Sequence, residues 1–135
     1  MPQNITKGIK ALLTEANDIV TTLPVAEAKE LVDSDDHVFI DLRDIRELHR
    51  SGLIPGVFSC PRGMLEFWID PDSPYHKPVF NQDKVYIFYC ATGWRSALSA
   101  KTAMEMGLQP VMHIEGGFVE WFKQDGPVAT REKQP

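Results

Sequence analysis

The chain predicts an α/β fold, a parallel five-stranded sheet with helices on both faces, and three observations carry that expectation. Short β-branched and aromatic runs recur at residues 20–22, 38–42, 57–60, 85–89 and 111–114. Segments with apolar residues at helical intervals separate them, and strands alternating with helices are the pattern of parallel strands joined by crossovers. Finally, 135 residues that are 43% hydrophobic suffice for one compact domain with its own core.

Taken in order, residues 5–20 place Ile5, Ile9, Leu12, Leu13 and Ala16 on one helical face. This predicts a helix added in front of the domain, in an N-terminal extension spanning 1–19, whose stripe either packs on the domain or meets a partner. The first strand, 20–22, leads into a helix over 24–32. Leu23 precedes Pro24 where a Ser or Thr cap would be usual, at a cost of about 1 kcal/mol or less. Strand 38–42 is followed by a short helix over 45–51 and a third strand at 57–60.

Residues 64–80 hold Phe67, Trp68, Tyr75 and His76 among Pro71, Pro74 and Pro78. So proline-rich a stretch predicts a loop that either packs on its own domain or walls a binding site. Strand 85–89 runs into a helix over 95–106, with Ala97, Leu98, Ala100, Ala103 and Met104 at helical spacing and Gly107 placed to stop it. Strand 111–114 completes the sheet, so the domain covers 20–130 and leaves a C-terminal tail, 131–135.

The segment Cys90-Ala91-Thr92-Gly93-Trp94-Arg95-Ser96 joins the fourth strand to its helix. Cys90 thus faces a helix N-terminus, where unpaired N–H groups and the positive end of the dipole favour an anion. That field favours the thiolate, the form in which cysteine is a nucleophile. In open sheets of this kind ligands sit beyond the carboxyl ends of the strands, where Cys90 lies.

Four segments resemble the rhodanese-like sulfurtransferases. Cys90, Gly93, Arg95 and Ser96 meet that family's pattern Cys-x-x-Gly-x-Arg-Ser/Thr. Residues 39–43, Phe-Ile-Asp-Leu-Arg, look like its strand ending in Asp-x-Arg. Residues 51–57 look like its Gly-His-Ile-Pro-Gly-Ala turn, with Leu53 where many members carry His, and Gly116-Gly117-Phe118 with Trp121 resembles its closing motif. The resemblance covers about residues 20–128 and implies a rhodanese-like three-layer sandwich.

It also implies a mechanism. Cys90 attacks the outer sulfur of thiosulfate or a persulfide, becomes a persulfide, and passes that sulfur to a thiophilic acceptor, cyanide in an assay or a thiol in a cell. The backbone N–H groups of Ala91, Thr92, Gly93, Trp94, Arg95 and Ser96 point inward on this reading and bind the anion. Thr92 and Trp94 face the mouth. Arg95 either attracts the donor or ties the loop to a carboxylate, with the brace favoured. Ser96 donates to sulfur, caps the helix, or does both. Asp41 and Arg43 are supporting residues, while Arg43, Arg46 and Arg62 are candidates for a positive field that draws the donor in. No metal or organic cofactor is expected beyond the persulfide itself. His37, His49, His76 and His113 lack ligand spacing, and Cys60 is either a resolving thiol or, as favoured, an inert core cysteine.

Two other functions compete with an enzyme acting on small donors. One is a sulfur-relay or adaptor domain acting on a protein partner. The other is a phosphatase or arsenate reductase of the same fold, disfavoured because four residues separate Cys90 from Arg95, where cysteine phosphatases have five. Tyr89 also stands where those enzymes usually carry His. A net charge of −5 argues against nucleic acid. No run approaches the ~20 apolar residues that span a bilayer, and a cytoplasmic location is expected, where Cys90 stays reduced.

Overall fold

The computed structural model describes residues 2–131. Met1 and residues 132–135 of the expected tail lie outside the described residues. Five strands form one sheet: β1 (Thr21–Leu23), β2 (His37–Asp41), β3 (Phe58–Ser59), β4 (Val85–Tyr89) and β5 (Val111–Ile114). Every pairing is parallel, and the order is β1-β5-β4-β2-β3. The bounds of β4 and β5 match the expectation, and the others shift by a residue or two at their ends. β4 pairs on both sides and is covered on both faces, which is why it reads as an unbroken apolar run.

The helices are α1 (Ile9–Ile19), α2 (Val25–Lys29), α3 (Ile45–Ser51), α4 (Leu65–Ile69), α5 (Trp94–Glu105) and α6 (Gly117–Lys123). Successive strand residues face opposite layers. Tyr86 and Phe88, with Ile40 and Leu42, meet Leu65 and Ile69 of α4 and Ala100 and Ala103 of α5. Ile87 and Tyr89, with Phe39, meet Val25 and Ala28 of α2 and Phe118 and Trp121 of α6. The result is the three-layer α/β sandwich. α1 lies outside it, with Leu13 and Ala16 packed on Ala97 and Leu98 of α5. No helix among the described residues is long and apolar enough to cross a membrane.

One expectation is corrected. Residues 64–80 are not simply a loop: 3-10 turns at Arg62–Met64 and Pro78–Phe80 flank and follow α4. The prolines lie beyond that helix, and Leu65 and Ile69, four apart, are both buried. Trp68 meets Phe58 edge-on at 6.0 Å, and the Trp68 carbonyl bonds His76 Nδ1 at 2.9 Å. The segment is therefore packed on its own domain.

The N-terminal stripe is only half buried. Gly8 caps a helix that starts at Ile9, and Ile5 remains 77% exposed. α6 is a helix beyond those the sequence predicts, and it starts at the second glycine of the Gly116-Gly117 pair. The turn at Leu53 is held by backbone rather than side chain: Leu53 N–H donates to the Ala129 carbonyl at 2.9 Å, and Ala129 N–H returns a bond at 2.8 Å.

Candidate active site

Cys90 follows the last residue of β4 and is 1% exposed. It is separated from α5 only by a tight loop, which Gly93 makes possible. That residue caps α5 at φ 105°, a left-handed conformation open to glycine. The turn directs two backbone donors at the sulfur, with Gly93 N–H 3.1 Å and Ser96 N–H 3.4 Å from Sγ. Ser96 Oγ lies 3.6 Å from Sγ. The expected ring of six inward N–H groups is thus narrower, resting on Gly93 and Ser96. Thr92 and Trp94 are exposed at the mouth, as anticipated.

A second backbone contact fixes the loop from the other side. Phe118 N–H donates to the Cys90 carbonyl at 2.8 Å and Val119 N–H to the Ala91 carbonyl at 3.0 Å, so the first turn of α6 grips the loop. Gly117 makes that grip possible. At φ 61°, a Cβ there would stand 2.5 Å from the Cys90 carbonyl oxygen.

Arg95 is the brace that the sequence reading favoured. Its guanidinium forks onto Glu47 of α3, Nη1 to Oε2 at 2.9 Å and Nη2 to Oε1 at 2.8 Å. This pairing, with a further bond from Asp44 N–H, holds the Glu47 carboxyl down at about 2. Glu47 itself escaped sequence reasoning. Its only sequence signal was the helix-start pattern Asp44-x-x-Glu47, which explains the capping box and not the contact with Arg95.

Asp41 and Arg43 are supporting residues in a literal sense. Arg43 Nη2 donates to Asp41 Oδ2 at 2.7 Å and to the Gly52 carbonyl at 2.8 Å, with its guanidinium carbon 4.3 Å from the centre of the Phe118 ring. The proposed positive field does not materialise, because each arginine has a carboxylate of its own. Arg43 pairs with Asp41, Arg46 with Asp44, and Arg62 with Glu66. Tyr89, where a phosphatase would carry His, accepts the Ile54 N–H at 3.2 Å and ties the Leu53 turn to the core. Burial pushes its phenol well above the ordinary range.

Cys60 is fully buried in the apolar core, and that burial pushes its thiol up to about 12, which makes it a poor partner for a Cys90 intermediate. The histidines are spoken for singly. His37 bonds Ser34, His49 the Arg131 carbonyl, and His76 the Trp68 carbonyl. His113, which lacks ligand spacing in the sequence, lies at the site, its Nδ1 3.0 Å from Ser96 Oγ.

The family model for the rhodanese-like domain matches residues 24–124. A mouse thiosulfate sulfurtransferase/rhodanese-like domain-containing protein is 30% identical over 113 residues, 80% of this chain and 70% of that protein. A putative sulfurtransferase of Bacillus subtilis is 28% identical over 80% of this chain and 96% of its own length. A tRNA uridine(34) hydroxylase of Cronobacter sakazakii is 28% identical over 89% of this chain, which spans 34% of that longer protein.

Among solved structures, a Rhodopseudomonas palustris protein of unknown function, described as a possible tyrosine phosphatase, superposes with a TM-score of 0.93. It is 60% identical, over 96% of this chain and 99% of that one. With the matched segment holding strands β2 to β5, Cys90, its loop and the α6 grip, the chain belongs to the rhodanese-like domain family.

Proposed function

We propose that the protein is a rhodanese-type sulfurtransferase that carries a sulfane sulfur on Cys90. The observation that supports this most is the pair of N–H groups, from Gly93 and Ser96, aimed at a buried Sγ at the carboxyl end of β4. The Cys90 thiolate attacks the outer sulfur of thiosulfate, an S–S bond forms, and the donor's own S–S bond breaks to release sulfite. The persulfide that remains carries one negative charge, which the same two donors stabilise. An acceptor such as cyanide or a thiol then takes the outer sulfur and returns the thiolate. No organic or metal cofactor takes part. Both cysteines stand as free thiols, a state suited to a reducing cytoplasm.

The description of the R. palustris neighbour raises phosphatase chemistry as the rival. A phosphate cradle needs a guanidinium available to a tetrahedral dianion, whereas Arg95 is committed to Glu47 by two bonds. Steady-state turnover decides between them. Thiocyanate released from thiosulfate and cyanide, lost in Cys90→Ser, supports the sulfurtransferase. Hydrolysis of an aryl phosphate without thiocyanate release would replace it. Turnover with a protein persulfide and not with thiosulfate would make the domain a sulfur relay using the same intermediate.

A further inference from the structure

A file of polar side chains leads from the Cys90 sulfur to the surface. Sγ is 3.6 Å from Ser96 Oγ, which is 3.0 Å from His113 Nδ1, and His113 Nε2 is 3.2 Å from Thr22 Oγ1. The fold builds this file deliberately from three elements. Thr22 of β1 and His113 of β5 are register partners, and Phe88 of β4 is the neighbour of His113 on the other side. Their side chains rise toward α5, whose first turn brings Ser96 down to meet them. His113 is 4% exposed, while Thr22 is open to solvent. Both line a cleft of about 290 Å³ beside the active loop, together with Asn17, Thr92, Trp94 and Glu115.

We propose that His113 is a positioning residue that sets the direction of the Ser96 hydroxyl, and with it the ionisation of Cys90, by exchanging its two neutral tautomers. With the thiol intact the file points outward. The S–H donates to Ser96 Oγ, the Ser96 O–H to His113 Nδ1, and the Nε2–H to Thr22 Oγ1. On ionisation each proton moves one place: the thiol proton to Ser96, the Ser96 proton to Nδ1, the Nε2 proton to Thr22, and the Thr22 proton to water in the cleft. One proton leaves and one thiolate remains. The file now points inward, with Thr22 donating to Nε2, Nδ1–H to Ser96 Oγ, and the Ser96 O–H to the sulfur anion.

His113 is neutral before and after, as its site requires. Burial pushes it down to about 4, so imidazolium is not formed at neutral pH. The Gly93 carbonyl, 3.3 Å from Ser96 Oγ, competes for the same hydrogen, but a thiolate is the stronger acceptor because it is charged. The charged groups around the file are largely matched: Arg95 with Glu47 from α3, and Asp41 with Arg43 at the end of β2. Glu115 sits exposed at the cleft, and α1 contributes the neutral Asn17. Tautomer exchange thus answers to Cys90 rather than to a neighbouring ion.

The inference rests on Cys90 as the nucleophile and not on its donor, so its test uses no sulfur compound. In the wild-type protein, ¹⁵N shifts of the His113 ring followed through the Cys90 titration are expected to show the proton passing from Nε2 to Nδ1 in step with thiolate formation. A proton that stays on one nitrogen overturns the proposal. The second measurement is the pH profile of Cys90 alkylation by iodoacetamide, read on the Cys90 peptide. His113→Phe and Ser96→Ala are each expected to raise its midpoint by about one pH unit, and the double variant to raise it no further. Additive effects, or an unchanged midpoint in His113→Phe, contradict it.

Discussion

Arg95 and Glu47 are joined by two parallel hydrogen bonds, and the same Glu47 carboxylate accepts the Asp44 N–H that opens α3. One acidic side chain therefore caps the start of α3 and anchors the active loop. The arginine of the family's loop pattern is spent on architecture, which leaves the charge at Cys90 to be met by backbone N–H groups and the Ser96 hydroxyl.

Glu47→Gln is expected to loosen that anchor. The folded carboxyl, at about 2, lies below the ordinary 4.5. Its stabilisation is thus complete above about pH 4.5 and is lost as the pH falls through 2. Arg95 is 41% exposed, so solvent screening reduces the effect to about 1–2 kcal/mol. Urea unfolding at pH 7 should show that loss, and the variant's stability should fall less steeply than the wild type's between pH 4.5 and 2.

Gly117→Ala forces a methyl against the Cys90 and Ala91 carbonyls in a left-handed backbone. We expect a loss of about 2 kcal/mol or more together with a displaced loop. Thermal unfolding and turnover should fall together, because the α6 grip serves both.

Trp68→Ala separates packing from substrate binding. Trp68 packs against the core that includes Leu65, Ile69 and Phe80, so its loss should cost about 2 kcal/mol. Donor affinity in the folded protein should be unchanged, since the segment is tied to its own domain. A weakened donor KM would instead make it a wall of the site.

The sheet was legible because β4 and β5 are strongly patterned runs bounded by turn residues, and Cys90 was legible because the strand-to-helix switch falls on it. Less visible were contacts that join distant segments. Ser96 and His113 meet only once β5 lies beside β4, and Arg95 and Glu47 only once α3 is folded over the loop. α4 was hidden because three prolines within eight residues, Pro71 to Pro78, mask a helix of only five. The arginine field failed for a related reason, since the partners of Arg43, Arg46 and Arg62 are near in sequence but pairing is a matter of side-chain geometry.

The central claim is that Cys90 carries sulfur. Intact mass after incubation with thiosulfate, beside a Cys90→Ser control, tests it directly. The account predicts one added sulfur on the wild type alone, removed by cyanide with recovery of the starting mass. A wild type that gains no sulfur from either thiosulfate or a persulfide donor, or a Cys90→Ser protein that gains it equally, would contradict it.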